Sequence, residues 1–546
     1  MQDFAEFYTP QFKAAVRDAK AGSLMSSYNS INGVPPSASK YLLQTLARDT
    51  WKLDDKHNYV TSDCDALENV YYPHHYAKTP AEAVGISFEA GLDLNCGKYS
   101  QLYLKDAIDQ NFTSRATVER SVTRMYASLV RLGVFDSAES QPLRQLGWND
   151  VNSKEAQDLA YEAAVAGTVL LKNDGLLPAS PDKYKTVAVI GPYTDATTQL
   201  SGNYAGPGPY MISVHEGVKT TYSNVLNVTG TSNGDPLTDG FPDALEAAKK
   251  ADLVIFAGGI DNSIESESLD RYSLELNANQ PDLIQLVAAL GKPMVMIQYG
   301  GGQIDQTPYI SNPNVSAYIW GGYPGQAGGW AITDIISGKR SPSGRLTVTS
   351  YPADYINQVN KTDMTVRPSS TSPGRTYAWY NGQPVFPFGF GLHYTNFSGS
   401  LTGDAGKSFD IQQLLSGTGN TTADYKDLIV IANVTAPIKN DGQTKSDYAA
   451  LLYANSTNGP EPYPLRKLVS YTKLHDISGG AEKTASLPIT VGALARYETN
   501  GDMALYPGTY NLMLDSFTSP LATATITLTG DREVVEAFPQ SENGFQ

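Results

Sequence analysis

Four short runs, Thr186–Ile190, Leu253–Gly258, Met294–Gln298 and Val315–Trp320, are apolar almost from end to end, and each is followed by a glycine-rich turn and a helical pattern. A strand with no polar face must be covered on both sides, which helices do in layered α/β folds. The run therefore predicts an α/β sandwich over 158–362. Residues 1–135 repeat the rhythm with shorter runs. Helical patterns at 11–20, Tyr41–Trp51 and Ala81–Ala90 alternate with strand-like Ser23–Tyr28, Tyr59–Asp63 and Leu92–Cys96, and a helix is expected at about 115–132. That alternation predicts a parallel sheet whose carboxyl ends carry the chemistry. Residues 136–157 read as a polar linker and 363–394 as a second one, since Asp363–Thr376 is rich in Pro, Ser and Thr. Over 395–546 helical patterns give way to short alternating strands such as Leu428–Val434, Tyr448–Ala454, Tyr510–Leu514 and Ala522–Leu528, the pattern of a β-sandwich.

Charge and hydropathy remove whole classes of function. With 40 Lys and Arg against 56 Asp and Glu the formal net charge is −16, which repels a phosphate backbone, and no basic run reverses it locally, so nucleic acid is not an expected partner. No apolar stretch reaches the roughly 18–20 residues of a spanning helix, so no membrane partner is expected either. Eight Asn-x-Ser/Thr sequons, at Asn111, Asn227, Asn314, Asn360, Asn396, Asn420, Asn433 and Asn455, favour a secreted, glycosylated protein, although the chain carries no signal peptide. Two cysteines, Cys64 and Cys96, are too few for a disulfide scaffold.

Two acidic clusters hold candidate chemistry. The strand-like Tyr59–Asp63 runs into Ser62-Asp63-Cys64-Asp65, which places carboxylates at a strand end; the competing role for Asp63 or Asp65 is to cap a following helix. After Leu253–Gly258 comes a loop with Asp261, Glu265, Glu267, Asp270 and Arg271, suited to a general acid but equally to a solvated turn. Gly300-Gly301-Gly302 lacks the spacing of a phosphate loop and reads as close backbone packing. His74-His75 lacks the spacing of helical metal ligands, and no G-x-S-x-G elbow occurs.

Taken together, the segments Met25–Pro35, Ser62-Asp63-Cys64-Asp65-Ala66, Ala90–Cys96, Val169–Gly175, Trp320–Gln326 and Pro387–Leu392 resemble glycoside hydrolase family 3, and within it the fungal β-xylosidases. The resemblance implies a partial (β/α) TIM-type barrel, an α/β sandwich and a fibronectin type III-like β-sandwich. It implies Asp63 as nucleophile and a Glu of the second loop as acid/base. Family members often carry Ser-Glu-Gly-x-Asp-Arg there, which Ser266–Arg271 matches with Ser268 in place of Gly, so Glu267 is the first choice and Glu265 the second. A retaining glycosidase needs its two carboxyls about 5–5.5 Å apart, and the resemblance draws them from two domains.

The implied activity is that of an exo-acting β-1,4-xylosidase releasing D-xylose from xylooligosaccharides. The alternatives are a β-glucosidase or α-L-arabinofuranosidase of the same family, or a non-catalytic carbohydrate-binding relative. The resemblance places Tyr28 and Cys64 in the sugar pocket and Cys64 and Cys96 at neighbouring strand ends, either bridged or as two buried thiols. It implies no metal, nucleotide or flavin cofactor. Only 62 residues precede Asp63, whereas such a barrel needs about 250 residues in all, so the N-terminal strands are expected to be missing. Residues 1–135 should then be the least stable part of the chain, or be propped by a partner.

Overall fold

The computed structural model describes residues 1–416, 423–515, 519–541 and 545, so the sequon at Asn420 lies outside the described residues. The chain forms two compact units. One comprises Met1–Asp150 together with Tyr497–Met503 and Glu536–Gln546; the other comprises Val151–Arg496 and Ala504–Val535. Among the described residues no helix is long and apolar enough to cross a membrane.

In the first unit β1 (Ser23–Ser26) and β2 (Tyr59–Ser62) pair in parallel, with Ser26 opposite Ser62. The expected third strand at Leu92–Cys96 is reduced to a single parallel bridge between Leu94 and Thr61. Its ladder stops because the backbone turns after Leu94: the Leu94 carbonyl accepts from Ser62 N at 2.8 Å, but the next contacts, from Asn95 Nδ2 and Cys96 N, go to the Ser62 hydroxyl. Helices Pro80–Ala90 and Arg115–Arg131 flank this sheet, each begun by a hydroxyl cap, Thr79 and Ser114. A further helix, Tyr99–Asp109, has no counterpart in the sequence reading. Its apolar residues do not form a covered stripe: Leu102 is exposed and Ala107 is the one fully buried residue in it.

A closed ring of charge lies beneath β2. Arg48 reaches Asp54 and Asp93, both at 2.5 Å, and Arg124 reaches the same two carboxylates at 2.5 and 3.2 Å. The side chains of Arg48 and Asp93 have no solvent exposure. Spare donors and acceptors are also used: Arg48 donates to the Asn58 and Gly91 carbonyls, each at 3.0 Å, and Asp93 accepts from Val60 N of β2 at 2.9 Å. Only the Nε of Arg48 is left over, and a buried ion needs partnering of this extent to survive.

The unit is propped by the chain's own C-terminus. Phe545 packs edge-on against Phe4 and Tyr41, with ring centroids 4.9 and 5.3 Å apart. The Tyr41 hydroxyl donates to the Pro539 carbonyl at 2.6 Å, Ser39 donates to Phe545, and Lys13 pairs with Glu536 at 2.7 Å.

The second unit holds a six-stranded sheet of β3 (Val169–Asn173), β4 (Thr186–Ile190), β5 (Asn224–Val228), β6 (Leu253–Gly259), β7 (Met294–Tyr299) and β8 (Ala317–Gly322), in the order β3-β8-β7-β6-β4-β5. All neighbours run parallel except β3, which is antiparallel to β8. Alternate residues of one strand serve two cores. Val187, Val189, Ile255 and Ile297 face one, while Ala188, Ile190, Phe256 and Met296 face the other. This is why β4, β6 and β7 are apolar along most of their length. The same unit continues into two antiparallel-rich sheets, one built on Val430–Asn440 and Glu482–Thr490, the other on Ser446–Asn455, Lys467–Ile477, Gly508–Asp515 and Pro520–Thr529. Two short helical turns, Ile411–Leu415 and Val491–Leu494, interrupt the region expected to be free of helix. Within residues 363–394, Trp379, Tyr380 and Phe386 are buried.

His393 is enclosed between Phe397 and Tyr448, with ring centroids 5.1 and 5.8 Å away. Burial, reinforced by the Arg345 charge, pushes it from 6.5 down to about 3.

Two outcomes are expected. Asp93→Ala leaves two buried guanidinium groups short of a partner and lowers the unfolding free energy of the full chain by about 3–5 kcal/mol in urea titrations; a loss under about 1 kcal/mol would show the ring to be dispensable. His393 is neutral when folded and protonates in the unfolded chain, so it withdraws stability as pH falls from 6.5 toward about 3. The stability of His393→Gln relative to the parent should therefore rise steadily across that window, and a constant difference would refute this role.

Candidate active site

The first candidate cluster stands where β2 ends. Asp63 is the residue after the strand, held by its amide to the Ser26 carbonyl at 2.9 Å, and its Oδ1 accepts from Cys64 N at 2.7 Å. A helix cap would accept from the second or third amide on, so Asp63 is not capping. Asp65 takes φ +66°, and its amide bonds the Cys96 carbonyl at 2.8 Å. Cys64 and Cys96 are joined by a disulfide. Its partners are separated by 32 residues, so the bridge ties the end of β2 to the segment that carries Asp93 and Leu94. Cys64 thus flanks Asp63 as a bridged sulfur and not as a thiol.

Tyr28 lies two residues beyond β1 and is partly exposed. Its carbonyl is bonded by His74 Nε2 at 2.6 Å, while His74 Nδ1 meets the Ser30 hydroxyl at 3.1 Å. His74 therefore fastens the loop after β1. Among the described residues no group of three or more His, Cys, Asp or Glu is placed to hold a metal ion.

The second cluster is the loop after β6. Its base is set by Asp261, whose Oδ1 accepts from the Ser263 amide at 2.9 Å and hydroxyl at 2.5 Å, while its carbonyl receives the Ile264 and Glu265 amides, each at 3.0 Å. Its tip is a tight turn closed by reciprocal Ser266–Leu269 backbone bonds of 3.1 and 3.0 Å. Glu267 and Ser268 are the two central residues. Ser268 adopts φ +64°, the conformation a type II turn requires at its second central position, where glycine is least strained. This explains physically why the related motif carries Gly there.

The two glutamates have different partners. Glu265 pairs with Arg271 at 2.5 Å, and Arg271 is fixed in turn by the Ser273 and Gln303 carbonyls. Glu267 stands exposed at the tip and accepts from the Tyr204 hydroxyl. The glycine triplet belongs to this arrangement and not to a phosphate loop. A side chain at Gly302 would collide with Glu265 and Arg271, and one at Gly300 would approach the Ile260 carbonyl to 2.6 Å.

Comparisons with known proteins agree on one family. The Glycosyl hydrolase family 3 N terminal domain matches residues 1–127, and the Glycosyl hydrolase family 3 C-terminal domain matches residues 168–394. The chain is 46% identical over 540 residues to a probable exo-1,4-beta-xylosidase of Neosartorya fischeri, covering 99% of this chain and 69% of that protein. It is 47% identical over 542 residues to the exo-1,4-beta-xylosidase of Emericella nidulans, covering 99% and 67%. Among solved structures it superposes on a GH3 exo-beta-xylosidase, XlnD, in complex with a xylobiose aziridine probe, with a TM-score of 0.95 at 46% identity over 99% of this chain and 70% of that one. A beta-glucosidase from Listeria innocua shares the fold at a TM-score of 0.82 and 23% identity. The N-terminal domain is incomplete relative to the full-length relatives, and the architecture is the multidomain one of barrel, sandwich and fibronectin-like parts. The chain belongs to glycoside hydrolase family 3, among its fungal exo-1,4-β-xylosidase-like members.

Proposed function

We propose that this chain is a retaining exo-β-1,4-xylosidase that releases D-xylose from the non-reducing ends of xylooligosaccharides. The observation that carries the reading is the similarity to exo-1,4-β-xylosidases over 99% of the chain, which includes the strand-end Ser62-Asp63-Cys64 segment. In this reading Asp63 attacks the anomeric carbon while Glu267 gives its proton to the departing glycosidic oxygen. The xylosyl–Asp63 ester is then hydrolysed by a water that Glu267 deprotonates, which restores both groups. Pairing with Arg271 reserves Glu265 for holding the loop, and the turn presents Glu267. Tyr28, on the loop after β1, orients the nucleophile. The compact bridged sulfur beside Asp63 leaves a pocket wall that suits a pentose and rejects the extra hydroxymethyl of a hexose by steric conflict. Exposed sequon residues Asn111, Asn314, Asn360, Asn396 and Asn433 support secretion as the setting for this activity.

Hydrolysis of p-nitrophenyl β-D-xyloside by the full chain tests the reading, with the glucoside and the α-L-arabinofuranoside as controls. Xyloside turnover should exceed both and vanish in Asp63→Ala. Glu267→Gln should lower it by about 10²–10⁴-fold and remove the alkaline limb of the pH profile, while Glu265→Gln keeps that limb. A folded chain with no turnover, or undiminished turnover in Asp63→Ala, would overturn it.

A further inference from the structure

Tyr204 is a solvent-facing residue in a strained place. It is 88% exposed and adopts φ +60°, a left-handed backbone that a bulky side chain enters only at an energetic cost. Glycines stand at 202, 206 and 208 of the same segment, so residues that take this conformation freely were at hand. Burial does not offset the strain, because the side chain lies outside the core. Strain kept at such a residue points to a task for its side chain, and the Tyr204 hydroxyl donates to Glu267 Oε2.

The segment that carries Tyr204 is fastened at both ends. At its start the Leu200 carbonyl accepts from Gly325 N at 2.9 Å and the Ser201 carbonyl accepts from Asn262 Nδ2 at 3.4 Å, which ties it to the loop that bears Glu267. The Tyr323 ring lies against Gly202 and Gly301, where an added Cβ would come within 3.3 and 2.8 Å of it, and the Tyr323 hydroxyl donates to Asn262 Oδ1 at 3.4 Å. At its end Ile212 N donates to the Gln326 carbonyl at 2.9 Å. Tyr204 is therefore held over Glu267 by a braced segment and not by a free arm.

We infer that Tyr204 is a positioning residue for the acid/base carboxyl, an inference that rests on the proposed role of Glu267. A neutral carboxyl accepts through its carbonyl oxygen and donates through its hydroxyl. With Tyr204 donating to Oε2, that oxygen is the carbonyl one, and the proton sits on Oε1, the atom left to serve the glycosidic oxygen. As the bond from the anomeric carbon to the leaving sugar breaks and the Asp63 ester forms, the Oε1 proton passes to the departing oxygen and Glu267 becomes a carboxylate. The hydrogen bond from Tyr204 is then charge-assisted and stronger than before. It thus stabilises the transition state more than the ground state, which is the condition for raising a rate. When water later cleaves the ester, its proton returns to Oε1.

The test compares kcat/KM, which ends with departure of the leaving group, for xylobiose and for 2,4-dinitrophenyl β-D-xyloside, whose leaving group needs no proton. Tyr204→Phe in the full chain should lose about tenfold more on xylobiose than on the dinitrophenyl substrate, with its melting temperature unchanged. Glu267→Gln should show the same bias at larger size, and the double variant should be no slower than Glu267→Gln alone, because Tyr204 acts through that carboxyl. Equal losses of Tyr204→Phe on the two substrates, no loss on either, or a double variant slower than Glu267→Gln on xylobiose would overturn the inference while leaving Glu267 as the acid. A Glu267→Gln chain without the bias, or a folded parent chain without turnover, would instead remove the acid assignment and this role with it.

Discussion

The buried ring of Arg48, Asp93, Arg124 and Asp54 is the constraint on which the first unit depends. Arg48, Arg124 and Asp93 cannot be left alone in a dry interior, because an unpaired buried ion costs several kcal/mol, and so the helical segment Tyr41–Thr50, the segment after Gly91 and the helix Arg115–Arg131 are obliged to meet, with the partly exposed Asp54 closing the ring. The ring also grips β2, since Asp93 accepts from the Val60 amide. Asp63 follows three residues later, just past the end of that strand. Its place is thus set from below by ionic pairing, from the side by the Ser26 carbonyl and from above by the Cys64–Cys96 bridge.

The loop after β6 is organised by the same economy of parts. Arg271 is shared among Glu265 and two carbonyls, Gly302 leaves room for that pair, and Asp261 pins the loop's base. What is left projecting is a two-residue turn with a glutamate in it. Rigid strands thus carry each candidate carboxylate, and the intervening polar contacts fix its direction.

Much of this was legible in the sequence because the strands buried on both faces had no other reading: β4, β6, β7 and β8 lie where apolar runs end in glycine. The clusters at Asp63 and at Glu265–Arg271 were visible as acids at strand ends, and the family motif singled out one residue in each. Edge elements were harder. β5, Asn224-Val-Leu-Asn-Val, is only half covered, and Lys467–Ile477 carries lysines along a partly exposed sheet, so neither shows a clean pattern. Leu92–Cys96 reads as a strand but spends its polar groups on a serine hydroxyl. The ionic ring left no sequence signal at all, because Arg48, Asp54, Asp93 and Arg124 share neither spacing nor motif. Nor did the packing of Phe545 on Phe4 and Tyr41, which joins residues more than 500 apart. The turn chemistry at Ser268 was visible only as a departure from glycine until its backbone was seen.

The central claim is that Asp63 is the group that becomes covalently joined to the sugar. Incubating the full chain with a 2-deoxy-2-fluoro-β-D-xyloside bearing a good leaving group, followed by digestion and mass spectrometry, tests it most directly, because the fluorine slows release of a trapped ester. The account predicts one fluoroxylosyl adduct, on the peptide containing Asp63. An adduct on another carboxylate, or turnover of the xyloside by a chain that never acquires one, would contradict it.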